Sequence, residues 1–305
     1  MVFSHIDIII VTIIIIITII IMGKVKKKNL RINSSAKINL FLDVLSKRSD
    51  GYHQIRTIFS EIGLVDIINF ALTKKGTVKI LLDIDFVSTK ENLIYKVAVF
   101  IKEKYNVKFG VRIELQKNIP ISAGMGGGSS NAASTIIALS ELWDLKLTKK
   151  EMHEIAENFG SDINFFLEGG CALGENRGEK IFHLKQIQLD NIFLVNPGFK
   201  ISSKEAYESV ILDDTENDNW TKLIESEDVQ WCYNKLQDGV CKKYPEIQKI
   251  IDHLLKNGAE QAILSGSGAT IIGFCPDRAT AEKFSIYYSK IGYWNYITKT
   301  KRSTK

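Results

Sequence analysis

The residues of this 305-residue chain that are best suited to chemistry form one glycine-rich stretch, residues 120–131. Four glycines occur there within five positions: Gly124, Gly126, Gly127 and Gly128. Glycine adopts positive φ readily and lets a bulky ligand approach the backbone, because it has no Cβ. Successive exposed N–H groups, with the positive end of a helix dipole behind them, bind anions such as the phosphates of a nucleotide. The stretch therefore predicts a phosphate-binding loop.

The segments on either side of this loop are those that a phosphate site needs. Before it, Val111, Ile113 and Leu115 alternate with polar residues, which predicts a strand. After it, apolar residues such as Ile136 and Leu139 recur at helical spacing. The predicted order is strand, glycine loop, helix. A flexible hinge is the alternative, but linkers are not wedged between an alternating strand and an amphipathic helix.

Two better-known phosphate loops are excluded by the residues themselves. A Walker A loop needs Gly-Lys-Ser/Thr, whereas here Gly128 is followed by Ser129. A dinucleotide fingerprint counted from Gly124 needs its third glycine where Ser129 stands. The loop therefore fits neither of these two templates.

The motif Pro-x-x-x-Gly-Met-Gly-Gly-Gly-Ser-Ser-Asn resembles the second motif of the GHMP kinases, a family that includes galactokinase, homoserine kinase and mevalonate kinase. The family's ATP loop has the form P-x-x-x-G-L-G-S/G-S-S-A, and Met125 replaces the leucine, a swap that conserves volume. The resemblance implies ATP and Mg²⁺ as cofactors, with Ser130 as a ligand of the metal. The nucleotide-binding residues that it implies are Pro120, Ile121, Ser122, Ala123, Gly124, Met125, Gly126, Gly127, Gly128, Ser129, Ser130 and Lys117.

A second segment with chemical potential is residues 35–42, whose alternation predicts a strand with Lys37 and Asn39 on one face. A lone lysine in a strand is often simply solvated, and spacing alone leaves that alternative open. The segment resembles P-A-K-I-N-L-x-L, which opens the GHMP kinases that this chain most resembles, with Ser35 in place of the proline. The resemblance implies that Lys37 is catalytic and that Asn39 lies near the acceptor.

Asp162 follows a predicted helix, residues 149–159, which Gly160 ends as a C-cap glycine does. An aspartate in such a place is most often a cap or a turn residue. However, Gly-Ser-Asp-Ile-Asn-Phe-Phe resembles the family's G-A/S-D-V/I-P-F-F, with Asn164 in place of the proline. The resemblance implies that Asp162 is the catalytic carboxylate, and we expect it to pair with Lys37.

Tyr52 and His53 follow Ser-Asp-Gly, a turn signal, and we expect them at the start of a strand or helix. A neighbouring aromatic ring and imidazole can stack on a pyrimidine and bond its edge, although a buried aromatic pair is the alternative. Arg-x-Asp-Gly-Tyr-His is similar to the branch of the family that acts on a cytidine diphosphate-linked methylerythritol. The resemblance implies that both residues bind this small-molecule substrate.

The function that the resemblance implies is phosphorylation of the 2-hydroxyl of this cytidine diphosphate-linked alcohol by ATP. This reaction is a step of non-mevalonate isoprenoid biosynthesis. Two alternatives stay open: another GHMP kinase, acting on homoserine or a mevalonate-type alcohol, and a non-catalytic nucleotide-binding relative. The presence of both Lys37 and Asp162 argues against a binding module, which needs neither.

Two further motifs bear on the fold. Residues 262–274 read as strand, tight turn, strand; an ordinary hairpin is the alternative to the family's third motif, whose backbone packs against the phosphate loop. Asn92 is predicted to cap a helix. The resemblance implies an α+β GHMP fold with a ribosomal protein S5 domain 2-like N-terminal domain and a ferredoxin-like C-terminal domain. The predicted divisions are 1–31 (extension), 32–185, 186–298 and 299–305 (basic tail).

Composition fits a globular two-domain protein, with 45% hydrophobic residues. The net charge of +5 comes largely from lysines and arginines near the two ends. No interleaving of aromatic and basic residues is evident, so no nucleic-acid partner is predicted. Four cysteines without paired spacing predict reduced thiols in a cytosolic compartment, rather than a zinc site or disulfides.

Residues 6–22 are almost purely isoleucine and are followed by a lysine cluster at 24–28. The stretch is slightly short for a membrane span, and by the positive-inside rule the cluster would keep the rest in the cytoplasm. Three interpretations are open: a membrane tether, part of a presequence for a plastid-type organelle, or an over-extended start before Met22. We favour the over-extended start or a dispensable tether, and a cytoplasmic protein.

Overall fold

The structure, a computed structural model, describes residues 28–82, 90–212 and 217–301. Its strands are β1 (Asn29–Lys47), β2 (His53–Thr73), β3 (Val78–Leu82), β4 (Gly110–Gln116), β5 (Cys171–Asn176), β6 (Lys180–Leu184), β7 (Ile192–Asn196), β8 (Tyr233–Asn234), β9 (Gln261–Leu264), β10 (Ile271–Phe274) and β11 (Trp294–Thr298). Its α-helices are α1 (Leu93–Lys104), α2 (Gly127–Leu142), α3 (Lys149–Glu157), α4 (Asp162–Glu168), α5 (Ser203–Glu208), α6 (Asn219–Ser226), α7 (Gln237–Lys243), α8 (Pro245–Lys256) and α9 (Arg278–Lys290).

The N-terminal sheet is built on the long antiparallel hairpin of β1 and β2. Gly51, at φ 85°, makes the turn, which the Arg48 N–H closes by donating to the Tyr52 carbonyl at 2.8 Å. The sheet has the order β3-β4-β2-β1-β8, and β5 and β6 extend it from the first half of β2. The predicted strand at 35–42 and the turn before Tyr52 are both confirmed.

Helices α1 to α4 cover one face of this sheet and enclose the first hydrophobic core. The Asn92 side chain accepts a hydrogen bond from the Ile94 N–H at 2.9 Å, which confirms the predicted cap of α1. Thr148 and Glu151 form a capping box at the start of α3. These caps fix where two of the helices begin and hence how they lie on the sheet.

The C-terminal sheet is antiparallel, with the order β11-β7-β10-β9. Its strands and the main helices occur in the strand-helix-strand-strand-helix-strand sequence of a ferredoxin-like fold, with α8 and α9 packed on it. The predicted strand, turn and strand at 262–274 are β9, the turn and β10. The α+β fold with two domains, which the resemblance implies, is confirmed in this arrangement.

A third hydrophobic core joins the two sheets, so the layers run helices, sheet, sheet, helices. It takes Ile38 and Leu40 from β1 and Leu194 and Ile272 from the second sheet, each fully buried. In addition, β8 pairs in parallel with β1. The second half of the chain is therefore attached to the strand that carries Lys37.

The domain boundaries stay predictions, but their places in the fold are clear. The division at 185/186 falls between β6 and β7, whereas the division at 31/32 falls inside β1. Lys301 of the basic tail donates to the Ser35 hydroxyl at 3.1 Å. Residues 6–22, and with them the tether, presequence and start interpretations, lie outside the described residues. None of the helices in the described ranges has the length and apolarity to span a bilayer.

One helix begins earlier in the chain than the sequence predicted, and a second helix was not predicted. The helix after the glycine loop begins at Gly127 rather than near Asn131, because Gly126, in the left-handed region at φ 64°, starts it. Gly127 and Gly128 thus form the first helical turn. The helix α4, which begins at Asp162, was not predicted, since seven residues are too few to show helical periodicity.

Candidate active site

The glycine loop turns sharply before it enters α2. Ser122, Gly124 and Gly126 all have positive φ, at 54°, 74° and 64°. The first N–H groups of α2 have no carbonyl of their own helix to bond, so they form a cluster of donors at its positive end. The local conformation is that of the predicted anion-binding loop.

Backbone contacts from both halves of the chain hold this loop. The Lys37 N–H of β1 donates to the Met125 carbonyl at 3.1 Å. The Ser265 hydroxyl, from the turn after β9, donates to the Gly124 carbonyl at 3.2 Å. A Cβ on Gly124 would lie 2.0 Å from the Ser265 carbonyl oxygen. The predicted packing of the third motif against the phosphate loop is therefore confirmed.

Lys37 lies beneath the loop, and its side chain is almost entirely buried. Its ammonium donates to the Asn39 side-chain oxygen at 2.6 Å and lies 3.9 Å from Asp162 Oδ2. It also lies 5.4 Å from the centre of the Phe59 ring. Burial lowers the pKa of Lys37, and the charge of Asp162 partly opposes this shift. The predicted shared face of Lys37 and Asn39 and the predicted pairing with Asp162 are both confirmed.

Asp162 is the first residue of α4 and remains accessible to a ligand, with 34% of its side chain exposed. The same helix carries Phe166, whose ring lies 2.8 Å from the place that a Cβ on Gly126 would take. Helix α4 therefore fits against the glycine loop and places the Asp162 carboxylate beside it.

Two cavities meet at this ion pair. The first, which we call the loop cavity, has a volume of about 590 Å³ and is lined by the glycine loop. The second, which we call the His53 cavity, has a volume of about 1040 Å³ and is lined by Asn39, Tyr52 and His53. The residues that line both cavities are Lys37, Ser129, Asp162, Ser203 and Ser267. An ion pair thus lies where ligands in the two cavities would come together.

Most of the predicted nucleotide-binding residues line the loop cavity: Lys117, Pro120, Ile121, Ser122, Ala123, Gly124, Met125, Gly126, Gly127, Gly128 and Ser129. Ser130 does not, because its hydroxyl is buried and bonds the Ser34 hydroxyl at 2.7 Å. The ammonium of Lys117 lies 2.8 Å from Asp66 Oδ2 and donates to the Ile119 carbonyl. The ligand contacts of all of these residues stay predictions, and Ser130 and Lys117 already have partners within the protein.

The His53 cavity has an aromatic wall that the sequence motif only partly indicated. The His53 and Tyr207 rings stack, with centroids 5.3 Å apart and an angle of 20°. Burial and the nearby Lys47 lower the pKa of His53, so its imidazole is neutral at neutral pH. Tyr52 is 58% exposed, and the Arg177 guanidinium lies 4.9 Å from the centre of its ring. Tyr52 is therefore largely open to solvent, with one cation over its ring.

Several residues of the site were missed in the sequence. Burial, and then the charge of Asp162, raise the pKa of the Tyr207 hydroxyl, which therefore stays protonated. The hydroxyls of Ser203 and Ser267 lie 3.0 Å apart at the junction of the cavities. Tyr207 and Ser203 come from α5, outside the motifs, whereas Ser267 lies in the turn of the third motif, residues 262–274. No local pattern marks Tyr207 or Ser203 as a site residue, because only the packing of the two halves brings them to the site.

Comparison with known proteins agrees with this geometry. The family model described as GHMP kinases N terminal domain matches residues 92–170, and the model described as GHMP kinases C terminal matches residues 211–288. A 4-diphosphocytidyl-2-C-methyl-D-erythritol kinase of Caldanaerobacter subterraneus subsp. tengcongensis is 40% identical over 295 residues, covering 90% of this chain and 98% of the relative. The chain belongs to the GHMP kinase family.

This GHMP kinase is also similar to a second relative and to solved structures. A 4-diphosphocytidyl-2-C-methyl-D-erythritol kinase of Clostridioides difficile is 36% identical, with 83% of this chain and 88% of the relative covered. A crystal structure of 4-(cytidine 5'-diphospho)-2C-methyl-D-erythritol kinase superposes with a TM-score of 0.76 at 26% identity, covering 89% and 100% of the chains. The Methanococcus jannaschii mevalonate kinase, with a TM-score of 0.68 at 16% identity over 91% and 100%, shows the shared fold alone.

The contact between the glycine loop and the third motif gives a first prediction. Gly124→Ala places a methyl group against the Ser265 carbonyl, whereas Gly292→Ala, also at positive φ, meets nothing within 4 Å. Both variants bear the strain of positive φ, about 1–2 kcal/mol. We expect only Gly124→Ala to weaken binding of a nucleotide analogue, by about 10-fold or more, because only there must the loop move. Equal affinities in the two variants, measured by calorimetric titration, would contradict the contact.

The burial of Lys37 gives a second prediction, on pH dependence. As pH rises through its lowered pKa, below the ordinary 10.5, Lys37 loses its charge in the folded protein. Between these two values the unfolded chain binds more protons than the folded one, so the contribution of Lys37 to stability rises with pH. We therefore expect kcat to fall in this alkaline window while this contribution to stability does not.

The matched variant for this test is Lys37→Arg, whose guanidinium stays charged throughout the window. The measurement is the pH profile of kcat in both proteins, with melting temperatures recorded at each pH. We expect the alkaline fall to move to higher pH in the arginine variant, whatever its absolute rate. An alkaline fall at the same pH in both proteins would show that another group is responsible.

Proposed function

We propose that this chain transfers the γ-phosphoryl group of ATP to the 2-hydroxyl of 4-diphosphocytidyl-2-C-methyl-D-erythritol. The observation that carries the proposal is the Lys37–Asp162 pair at the junction of two cavities, one lined by a glycine loop. Phosphoryl transfer needs a donor phosphate and an acceptor hydroxyl to meet at one point, and this pair lies at such a point. The family supplies ATP as the donor, and the relatives at 36–40% identity bear the name of this kinase.

The chemistry of each residue follows from its place. Phosphoryl transfer passes through a loose transition state, so catalysis consists mainly of positioning and of neutralising charge. The N–H groups at the start of α2 hold the phosphates. Asp162 orients the acceptor hydroxyl and takes its proton; because a carboxylate is a weak base toward an alcohol, this transfer is late. Lys37, whose ammonium is fixed by Asn39, stabilises the alkoxide that develops.

Mg²⁺ would be held mainly by the nucleotide. The described residues contain no cluster of three or more metal-binding side chains. Magnesium in such sites takes one or two carboxylates, together with phosphate oxygens and waters. The carboxylate of Glu91 lines the loop cavity and fits this requirement. The ion would neutralise charge on the phosphates, and the buried hydroxyl of Ser130, which bonds Ser34, would have to give up that bond to reach it.

The acceptor fits the His53 cavity by its chemistry. A cytosine ring stacks on the exposed face of Tyr52, and the neutral imidazole of His53 bonds the edge of a pyrimidine. In this structure the His53 and Tyr207 rings touch each other, so the base lies against this pair rather than between its members. Homoserine and mevalonate carry no base, and nothing in either would use this aromatic wall.

A third prediction concerns the acceptor itself. The chain, with ATP and Mg²⁺, should phosphorylate 4-diphosphocytidyl-2-C-methyl-D-erythritol and leave homoserine, mevalonate and galactose unchanged, because only the first has a base for Tyr52 and His53. The measurement is ATP consumption with each acceptor, with cytidine diphosphate as a competitor. We expect cytidine diphosphate to compete with the acceptor and not with ATP.

The other outcomes of this panel each remove a defined part of the proposal. Turnover of a different alcohol would keep the kinase and discard the cytidine site. No turnover with any acceptor, while nucleotide still binds, would support the non-catalytic alternative instead.

A fourth prediction concerns Asp162. Asp162→Ala should lower kcat by about 100-fold or more, since acid–base groups contribute factors of that size. Nucleotide affinity should change little, because the glycine loop and its anchors are untouched. Steady-state kinetics and a binding titration with a non-hydrolysable analogue check both statements. A variant with comparable kcat would refute the catalytic assignment of Asp162.

A further inference from the structure

An acidic residue lies in the protein interior behind the glycine loop. Asp66 occupies an inward-facing position of β2, between Leu64 and Ile68, and its side chain is fully buried. A buried carboxylate is costly unless it is paired and hydrogen-bonded. The identity of its partners therefore shows what this charge is for.

Four donors satisfy the Asp66 carboxylate. Oδ1 accepts from the backbone N–H of Asn118 at 2.8 Å and of Ile119 at 2.9 Å. Oδ2 accepts from the Asn131 side-chain amide at 3.0 Å and lies 2.8 Å from the Lys117 ammonium. All four donors lie at the two ends of the glycine-rich stretch: residues 117–119 directly precede it, and Asn131 is its last residue. One carboxylate thus fixes both ends of the loop.

The neighbouring strand reinforces this attachment. Ser34 of β1 is the cross-strand partner of Asp66, so the two side chains share a face of the sheet. The Ser34 hydroxyl bonds the Ser130 hydroxyl at 2.7 Å, while Asp66 holds Asn131. Two paired sheet positions therefore hold two consecutive residues in the first turns of α2. This arrangement sets where the N-terminus of α2 lies.

The ammonium of Lys117 is held close to the phosphate-binding turn. A Cβ on Gly127, the first residue of α2, would lie 3.0 Å from Lys117 Nζ and 3.0 Å from a methyl carbon of Ile119. Asp66 thus directs the lysine against the underside of the loop. The side-chain oxygen of Asn131 is buried and has no hydrogen-bond partner among the described residues, so Asp66 provides the polar attachment of that side chain.

We propose that Asp66 is a positioning residue for nucleotide binding: by bonding both flanks of the glycine loop and directing Lys117 beneath it, Asp66 sets the geometry of the phosphate-binding N–H groups. The inference rests on the proposed nucleotide site and not on the identity of the acceptor. Asp66 touches no ligand itself; it acts through residues 117–119 and Asn131.

A merely structural role predicts a different result. A buried group that only stabilises the fold would, when changed, lower the melting temperature and the fraction of folded protein. The dissociation constant of the nucleotide in the remaining folded protein would stay the same. A positioning role instead raises this constant and the KM for ATP, and leaves the KM for the acceptor unchanged. The two roles are therefore separable by binding measurements.

The test uses Asp66→Asn in the full chain. The asparagine still accepts the two backbone bonds, but its amide group faces the amide of Asn131 and the ammonium of Lys117, donor against donor. We expect the dissociation constant of a non-hydrolysable ATP analogue with Mg²⁺ to rise about 10-fold or more, because buried donors lose their acceptor. The acceptor KM should stay within about twofold. Isothermal titration and steady-state kinetics provide the two readouts.

Two matched variants complete the design. Asp43 is another buried aspartate, which accepts from the Val44 N–H at 2.9 Å and the Asn217 N–H at 3.3 Å. Asp43→Asn should leave the nucleotide dissociation constant unchanged. The double variant Asp66→Asn/Asn131→Asp restores the hydrogen bond with donor and acceptor exchanged, and should recover much of the lost affinity. A double variant as weak as Asp66→Asn would contradict the attachment.

The outcomes that overturn the inference are distinct from those that overturn the proposed function. An unchanged dissociation constant in folded Asp66→Asn overturns it. If that variant does not fold, Asn131→Ala, which removes one of the four donors, should weaken the analogue by about threefold, and no change there overturns it. Absence of analogue binding to the parent protein overturns the nucleotide site and this inference together. Analogue binding without phosphorylation of the cytidyl alcohol overturns only the acceptor assignment.

Discussion

The active site depends on one buried lysine, whose pKa burial lowers and whose charged form the nearby Asp162 favours. Removing a charged group from water costs on the order of several kcal/mol, unless partners compensate. At Lys37 the compensation comes from the Asn39 oxygen at 2.6 Å, the Asp162 carboxylate at 3.9 Å and the face of the Phe59 ring. Each partner comes from a different place in the fold, so β1, β2 and α4 must all be correctly positioned for the charge to persist.

The two sheets provide that positioning together. The strand that carries Lys37 is packed against the C-terminal sheet through a continuous apolar core and is also paired with β8. The same strand bonds the glycine loop through the Lys37 N–H, while the turn after β9 presses on Gly124. The loop cavity, the His53 cavity and the ion pair between them are thus held in place by contacts between the two halves of the chain. Asp66, through its bonds to residues 117–119 and Asn131, holds the opposite side of the loop.

Much of the site could be predicted because many of its features are signalled by short, local stretches of sequence. Period-two alternation places Lys37 and Asn39 together, and the glycine run, the Asn92 cap and the turn before Tyr52 are local signals. Asp162 was assigned from a resemblance, since spacing alone favours a cap. Lys117 was expected to face a ligand, but its pairing with Asp66 depends on a strand residue 51 positions earlier. The only sequence signal for Asp66 is an acidic residue at an inward position of an alternating strand.

Contacts between distant segments account for what the sequence did not reveal. Tyr207 reaches His53 only because α5 packs beside the hairpin turn, and no periodicity in either segment encodes that contact. In the His53 cavity this stacking leaves no gap between the two rings for a planar ligand. Helix α4 was not predicted for a different reason: the stability of a seven-residue helix depends on tertiary packing rather than on its own sequence pattern.

The most direct test of the central claim is a crystal structure of the ternary complex with a non-hydrolysable ATP analogue and 4-diphosphocytidyl-2-C-methyl-D-erythritol. The account predicts the terminal phosphate at the N-terminus of α2 and the cytosine on Tyr52. It also predicts the 2-hydroxyl at a hydrogen-bond distance of about 2.6–3.2 Å from Asp162, with Lys37 beside it. An acceptor bound away from the His53 cavity, or a hydroxyl that cannot reach Asp162, would contradict it.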